Sequence, residues 1–321
     1  MNHTRLAVGA AAALALTLSA CSSDDGGSAA KPAAKASGHH TVGTAMGDVK
    51  VKNRPKRVVV LNTAGLDSAV TLGVRPVGAT RADADDAFLS YLPSSGTKGV
   101  TEVGERNSPD LKKIAGLRPD LIIGDKAGDG RLYKQLAAIA PTVLTGSADD
   151  AWKRNFLVHA DALGEKARAE QVAAKYKDHV AAVTKAIGGA GAAARTEVNF
   201  VRFVAGSDIR VSGRRTPAAT VLSDVGLGRP AITNRARGGL SYDVAPEQIG
   251  EADADAIFTS TYGNPGLAKV AEATTSAQWR GIKAVRDNRV YNVDDELWAQ
   301  GVGYTAANQI LSEVESDLAT R

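Results

Sequence analysis

Arg54-Pro55-Lys56-Arg57-Val58-Val59-Val60-Leu61 is a short apolar, β-branched run introduced by basic residues and a proline. A run of that length with no polar interruption reads as a parallel strand buried on both faces. Working outward, Leu66 to Leu72 reads as a helix closed by Gly73, because glycine takes the left-handed turn that ends helices. Arg75-Pro76-Val77-Gly78-Ala79 reads as the next strand, Leu111 to Leu117 as a helix and Leu121-Ile122-Ile123 as a further strand. Leu132 to Ile139 adds a helix and Thr142-Val143-Leu144 a strand. Strands alternating with helices of this size imply a parallel sheet with helices on its faces.

A long helical region follows. Trp152, Phe156, Ala160, Leu163 and Ala167 fall on one helical face, as do Val172, Tyr176, Val180, Val183 and Ile187. Gly164 predicts a break between two helices, and Gly188-Gly189-Ala190-Gly191 the end of the region. The α/β pattern then resumes. Val198 to Phe203, Ala256-Ile257-Phe258 and Arg289 to Val293 read as strands, and Ala218 to Val225 and Val302 to Leu318 as helices. The halves show a trace of repetition: at one constant offset Ile114 falls on Ile249, Asp120 on Asp255, Ile122 on Ile257, Ile123 on Phe258 and Lys112 on Glu247. Chance similarity of two βα units is the alternative. The expected fold is α/β, two Rossmann-like lobes joined by a long rigid helix. The lobes are residues 47–150 and 191–321, the connection residues 151–190. Open parallel sheets bind ligands at the carboxyl ends of their strands, so two facing lobes predict a cleft there.

The chain begins with a short basic segment ending at Arg5 and an uncharged Ala- and Leu-rich stretch from Leu6 to Ala20. The stretch is shorter than the roughly 20 residues a membrane span needs and fits a signal peptide over residues 1–20. Leu18-Ser19-Ala20-Cys21 resembles a bacterial lipobox, and Cys21 is the only cysteine of the chain. The expectation is cleavage before Cys21, a diacyl lipid on its sulfur and anchoring to the outer face of the cell membrane. Residues 21–46 are rich in Ser, Asp, Gly, Ala and Lys and read as a disordered tether. His39-His40 fall inside it and, on a floppy segment, make a poor metal site.

Without Arg5, the remaining 38 basic residues exceed the 35 acidic ones by three, too small an excess to argue for nucleic acid. The charge is uneven, however. Arg195 to Leu240 holds eight Arg against Glu197, Asp208 and Asp224, which predicts a surface or cleft that meets oxygen acceptors. Catalytic motifs are scarce. Ser95-Gly96-Thr97-Lys98 matches a Ser-x-x-Lys pattern without the partner motifs and reads as a surface loop. Beyond the tether only His159 and His179 remain, both in the helical region. The chemistry reads as binding without bond-making: no enzyme, no cofactor and no direct metal ligand.

At this point the residues resemble a family, the substrate-binding lipoproteins of iron–siderophore ABC importers, which also includes vitamin B12 and haem receptors. The marks are Arg54 to Leu61, Leu72-Gly73-Val74-Arg75-Pro76-Val77-Gly78 and Leu117-Arg118-Pro119-Asp120-Leu121-Ile122-Ile123. Leu222 to Leu227, Trp279 to Val285 and Arg289-Val290-Tyr291 complete them. The resemblance implies a class III binding-protein fold, a monomer, a ferric siderophore in the cleft and docking on an ABC permease. It implies ligand roles for Phe200 and Arg202, two apart on the first strand of the second lobe, and for Arg81. Arg106, Arg237, Tyr242, Tyr262 and Trp298 follow predicted elements and are further candidates. A Glu on each lobe usually meets the permease. Glu247 matches the second-lobe position, but Lys112 stands at the first, so Asp110 or Glu105 would have to substitute, or docking is asymmetric. The alternatives are a haem, corrinoid or metal-ion receptor of the same fold, and, in another class, a lipid-anchored envelope hydrolase.

Overall fold

The computed structural model describes residues 38–82 and 88–320, so Cys21 and the signal lie outside the described residues. In chain order the strands are β1 (His39–Thr44), β2 (Gly47–Lys52), β3 (Val58–Val60), β4 (Gly78–Arg81), β5 (Thr101–Glu105), β6 (Ser108–Pro109) and β7 (Leu121–Asp125). They continue with β8 (Thr142–Thr145), β9 (Val198–Val204), β10 (Ile209–Ser212), β11 (Ser241–Val244), β12 (Ala256–Tyr262) and β13 (Val290–Asn292).

The deciding run forms the central strand of the first sheet, ordered β6-β5-β4-β3-β7-β8. Val58, Val59 and Val60 are all buried. Val58 and Val60 join the core that runs under the helices, while Val59 joins a second cluster with Ile114, Ile122 and Leu136. Apolar residues at both parities are what a strand covered on two faces requires. The second sheet has the order β11-β10-β9-β12-β13, parallel through β9, β12 and β13 and antiparallel at β10 and β11. Phe200 faces one core, and Val201 and Phe203 face the other, the period-2 alternation of a strand.

The repeat seen in sequence is structural. Asp120 precedes β7, and its carboxylate accepts the N–H of Arg57 at 2.8 Å and of Lys56 at 3.1 Å, at the start of neighbouring β3. Asp255 precedes β12 and accepts the N–H of Glu197 at 2.8 Å, at the start of neighbouring β9. In return the N–H of Asp120 donates to the Arg57 carbonyl and that of Asp255 to the Glu197 carbonyl. Burial pushes the Asp120 carboxyl up, but these N–H groups and the Lys52 ammonium outweigh it and hold it below its ordinary value.

The helical region is two helices, Trp152–Leu163 and Lys166–Ala186. Gly164 ends the first in the left-handed conformation, φ 73°. A Cβ there would also sit 1.9 Å from the Asn53 carbonyl oxygen, so glycine is required on two counts. The 21 residues of the second helix make a rod of about 31 Å. The C-terminal helix Tyr304–Leu318 packs on this rod and on helices of both halves, Thr63–Thr71 and Pro217–Val225.

Three expectations need correction. The tether does not extend to Met46: β1 pairs with β2, and Val42, Val49 and Val51 are buried. His40 is therefore not on a floppy segment; its Nε2 lies 3.0 Å from Asp161 Oδ1. The strand expected at Arg75–Ala79 begins at Gly78, since Pro76 has no N–H to give to a ladder. Ser94–Thr97 forms one helical turn rather than a loop.

The capping carboxylates lead to a test. Asp120→Ala and Asp255→Ala are each expected to lower unfolding free energy by about 1–3 kcal/mol, the cost of losing charged hydrogen bonds, measured by denaturant titration at pH 7. Because the folded Asp120 carboxyl is depressed, its contribution is present above its unfolded value and lost as pH falls through the folded one. The deficit of Asp120→Ala should therefore shrink toward pH 3.

Candidate functional site

A cleft of about 510 Å³ opens between the sheets at the carboxyl ends of their strands. Ala82 follows β4, Arg106 follows β5, Asp125 ends β7 and Ser147 follows β8; Arg202 and Val204 lie on β9, and Tyr262 ends β12. The segment Ala299–Val302 supplies Ala299, Gln300 and Val302 to the floor.

Arg202 is the best-defined cation there. Its Nε donates to Asp295 Oδ1 at 2.7 Å and its Nη2 to Oδ2 at 2.6 Å, a bidentate fork that fixes the guanidinium plane. Ser260 Oγ donates to the same carboxylate at 2.8 Å and Gln300 Nε2 at 3.3 Å. The guanidinium carbon sits 4.8 Å from the Tyr262 ring centre, a cation–π distance. Nη1 is the arm that Asp295 does not engage. Directly across the antiparallel register stands Arg210, which also lines the cleft and has Asp243 at 3.8 Å. Like charges opposite one another on adjacent strands repel, and Asp295 offsets that repulsion.

Behind Arg202, Trp298 stacks on Phe258 with ring centres 4.4 Å apart, and Phe200 packs on the same indole at 5.5 Å. Trp298 is buried and its Nε1 donates to Glu313. A side pocket of about 130 Å³, walled by Phe200, Trp298 and Leu240, shares Arg202 and Arg210 with the cleft.

On the first lobe, Asp125 accepts from Asn62 Nδ2 at 3.1 Å and from the Gly128 N–H at 2.7 Å. The adjacent Asp129 is buried, and burial first, then the Asp125 charge, push its carboxyl up to about 7, against the pull of the Asp125 N–H and of Arg106. His159 is fully buried with Nδ1 2.9 Å from Ser68 Oγ, and burial lowers it to about 4. It is a packing residue. Among the described residues no group of three His, Cys, Asp or Glu side chains is placed to hold a metal ion.

The expected site residues divide. Arg106, Arg202 and Tyr262 reach the cleft, and Phe200 and Trp298 form the aromatic wall behind it. Arg81 lies beside the cleft: Glu102 is 3.5 Å and Glu105 3.7 Å from its guanidinium, and it is Ala82, the next residue, that lines the cavity. Tyr242 faces the other side of β11, packing on the outer core beneath Arg235. Arg237 is exposed in the turn before β11. Glu247 is exposed on the first turn of the 3₁₀ helix Pro246–Ala252, and Lys112 on the helix Leu111–Gly116. Asp110 caps that helix, accepting from Lys112 and Lys113 N–H groups, and Glu105 faces Arg81. Arg210, Asp295, Asp125 and Gln300 were not singled out in sequence. Only the Arg excess pointed toward Arg210.

Removing Asp295 leaves Arg202 charged and largely buried. Asp295→Ala should cost about 3 kcal/mol in unfolding free energy, and Arg202→Met in the same background should recover part of that loss. A double-mutant cycle in urea reads the coupling; a value near zero would mean the ion pair holds nothing.

The periplasmic binding protein family model matches residues 58–297. The chain is 32% identical to the probable siderophore-binding lipoprotein YfiY of Bacillus subtilis (strain 168), covering 94% of each. It is 30% identical to the Fe(3+)-citrate-binding protein YfmC of the same organism, covering 84% of each. Staphylococcus aureus SirA, solved in complex with staphyloferrin B, superposes with a TM-score of 0.76 at 30% identity, over 87% of this chain and 98% of that one. With its two α/β lobes facing one another across the cleft, the chain belongs to the periplasmic binding protein family.

Proposed function

We propose that this protein is an extracytoplasmic receptor that binds a ferric siderophore in the interlobe cleft and delivers it to an ABC import permease. The observation that carries the reading is the cleft itself: Arg106 on one wall and a pre-oriented Arg202 beside Arg210 on the other. A ferric chelate presents a shell of oxygen acceptors around the metal, and Arg meets such oxygens with several donors from one planar group. Three charge-assisted bonds at about 1.5–3 kcal/mol each total about 4.5–9 kcal/mol; the upper end corresponds to micromolar affinity, and aromatic packing adds to it. The names of the relatives support the same ligand class: a siderophore for YfiY, ferric citrate for YfmC and staphyloferrin B in the SirA complex.

In this reading Cys21 carries the lipid, and the stretch before β1 is the leash that keeps the receptor near the membrane. Iron is cargo held by the siderophore, and the protein acts as a monomer without bond-making chemistry. Glu247, exposed on the outer surface of the second lobe, is the docking residue. Lys112 replaces its counterpart, so docking is asymmetric.

Titration of the purified chain with ferric dicitrate, ferric hydroxamate, ferric catecholate, haem and zinc, followed by Trp fluorescence, tests the ligand class. Saturable quenching by a ferric chelate is expected; quenching by haem or zinc alone would sink the reading. With the chelate that binds, Arg202→Ala should weaken affinity at least tenfold, while Arg237→Ala, outside the cleft, should leave it unchanged. Glu247→Arg should lower iron uptake by cells without changing affinity in solution; equal uptake would remove Glu247 from docking.

A further inference from the structure

Asp67 lies on Thr63–Thr71, a helix of the first lobe, is fully buried, and contributes nothing to the cleft lining. Its carboxylate nevertheless holds the opposite end of the chain. Oδ1 accepts the Thr305 N–H and Oδ2 the Ala306 N–H, both at 3.1 Å. These are orphan donors of the first turn of Tyr304–Leu318, whose own N-cap position is Gly303 and has no side chain to serve them. The Thr71 hydroxyl, 3.0 Å from Oδ1, is itself 2.7 Å from the Thr305 hydroxyl. The Tyr91 hydroxyl lies 3.5 Å from the Val302 nitrogen and, close to the Asp67 carboxylate, favours its ionised form. Gly303 is required for this approach: its φ is 132°, and a Cβ there would stand 2.2 Å from Asp67 Oδ1.

The segment so held is the cleft floor. Ala299, Gln300 and Val302 line the cavity. At its far end the floor joins the turn Asp295–Trp298, whose Asp295 grips Arg202 and whose Trp298 packs on Phe200. One end of the floor is thus bonded to the first lobe and the other to the second.

We infer that Asp67 is a positioning residue for the binding cleft: a capping carboxylate from the first lobe that clamps the floor segment 299–306 and, through it, the Asp295–Arg202 pair. Of the titratable groups brought against Asp67, Tyr91 lies close to it; His159, on Trp152–Leu163, faces the neighbouring Ser68; and the C-terminal helix offers it backbone N–H groups. Burial pushes the Asp67 carboxyl up to about 6, against the pull of Thr305, Ala306, Thr71 and Tyr91. The clamped form therefore binds a proton more tightly than a form open to water, and the clamp tightens as pH falls through 6 toward the ordinary carboxylate value. At neutral pH the ionised, buried carboxylate leaves the floor easier to release. The effect on ligand rests on the receptor reading above; the clamp does not.

The experiment is amide hydrogen exchange on the full chain and on Asp67→Ala and Asp67→Asn, without ligand, at pH 5 and pH 8, corrected for intrinsic exchange. Asp67→Ala should speed exchange at least tenfold in 299–306, with Val198–Val204 and Ala256–Tyr262 unmoved. Asp67→Asn keeps an acceptor but no charge; it should retain protection and lose the wild-type difference between the two pH values. Exchange unchanged in Asp67→Ala, accelerated evenly over both lobes, or equally pH-dependent in Asp67→Asn would overturn the clamp. Ferric dicitrate titrations of the same three proteins add the binding arm. Wild-type exchange behaving as expected, with none of the ferric chelates quenching wild type, would refute the receptor reading and leave the clamp standing.

Discussion

Asp120 and Asp255 tie together the amino-terminal ends of two parallel strand pairs, one in each sheet. Each carboxylate takes one or more of the N–H groups that open the neighbouring strand, at the solvent-exposed edge where that strand enters the sheet. With those ends closed, the polar loops collect at the carboxyl ends. There the side chains of Ala82, Arg106, Asp125, Ser147 and Tyr262 line the cleft. Both halves obey this rule, so their open ends face one cleft. The equivalence of Ile114 and Ile249, both fully buried next to these strands, shows that the repeat extends to packing.

The sequence carried much of this plainly. Unbroken apolar runs identified β3, β7 and the first half of β12, and glycine punctuation placed helix ends at Gly73 and Gly164, both in the left-handed conformation. What stayed hidden has a common physical cause. β5, β10 and β11 have four or five residues and carry charged side chains, so their pairing, not their composition, makes them strands. The β1–β2 hairpin buries valines at alternate positions among Thr, Gly, Lys and His, a pattern that looks like a solvated tether until its partner is known. Tyr242 shows the period-2 hazard: its neighbour Ser241 reaches the side pocket, and one residue on, the side chain points to the opposite face.

The arginine excess was legible as a quantity and illegible as a map. Arg202 and Arg210 go to the cleft. Arg215 pairs with Asp150 and Arg235 with Glu251. Arg229 is buried, donating to the Ser212 carbonyl, and burial lowers it to about 10. Every one of these destinations is fixed by a partner distant in sequence. Local charge therefore predicted that oxygen acceptors would be met without saying which were the protein's own.

That distinction bears on how the cleft holds an acceptor-rich ligand. A free arginine on the wall would attract charge strongly but would have to be ordered on binding, a cost of about 0.5–1.5 kcal/mol for such a side chain. Arg202 has been ordered in advance by Asp295, Ser260 and Tyr262, and in exchange part of its charge is already neutralised. It is therefore suited to direction rather than attraction. Attraction falls to Arg106 on the first lobe and Arg210 on the second, the latter with a carboxylate only at 3.8 Å. Because these two stand on opposite walls, the ligand feels both only when the lobes hold their present distance. The floor segment between Asp67 and Asp295 spans that gap, so selectivity and lobe geometry are properties of the same few hydrogen bonds.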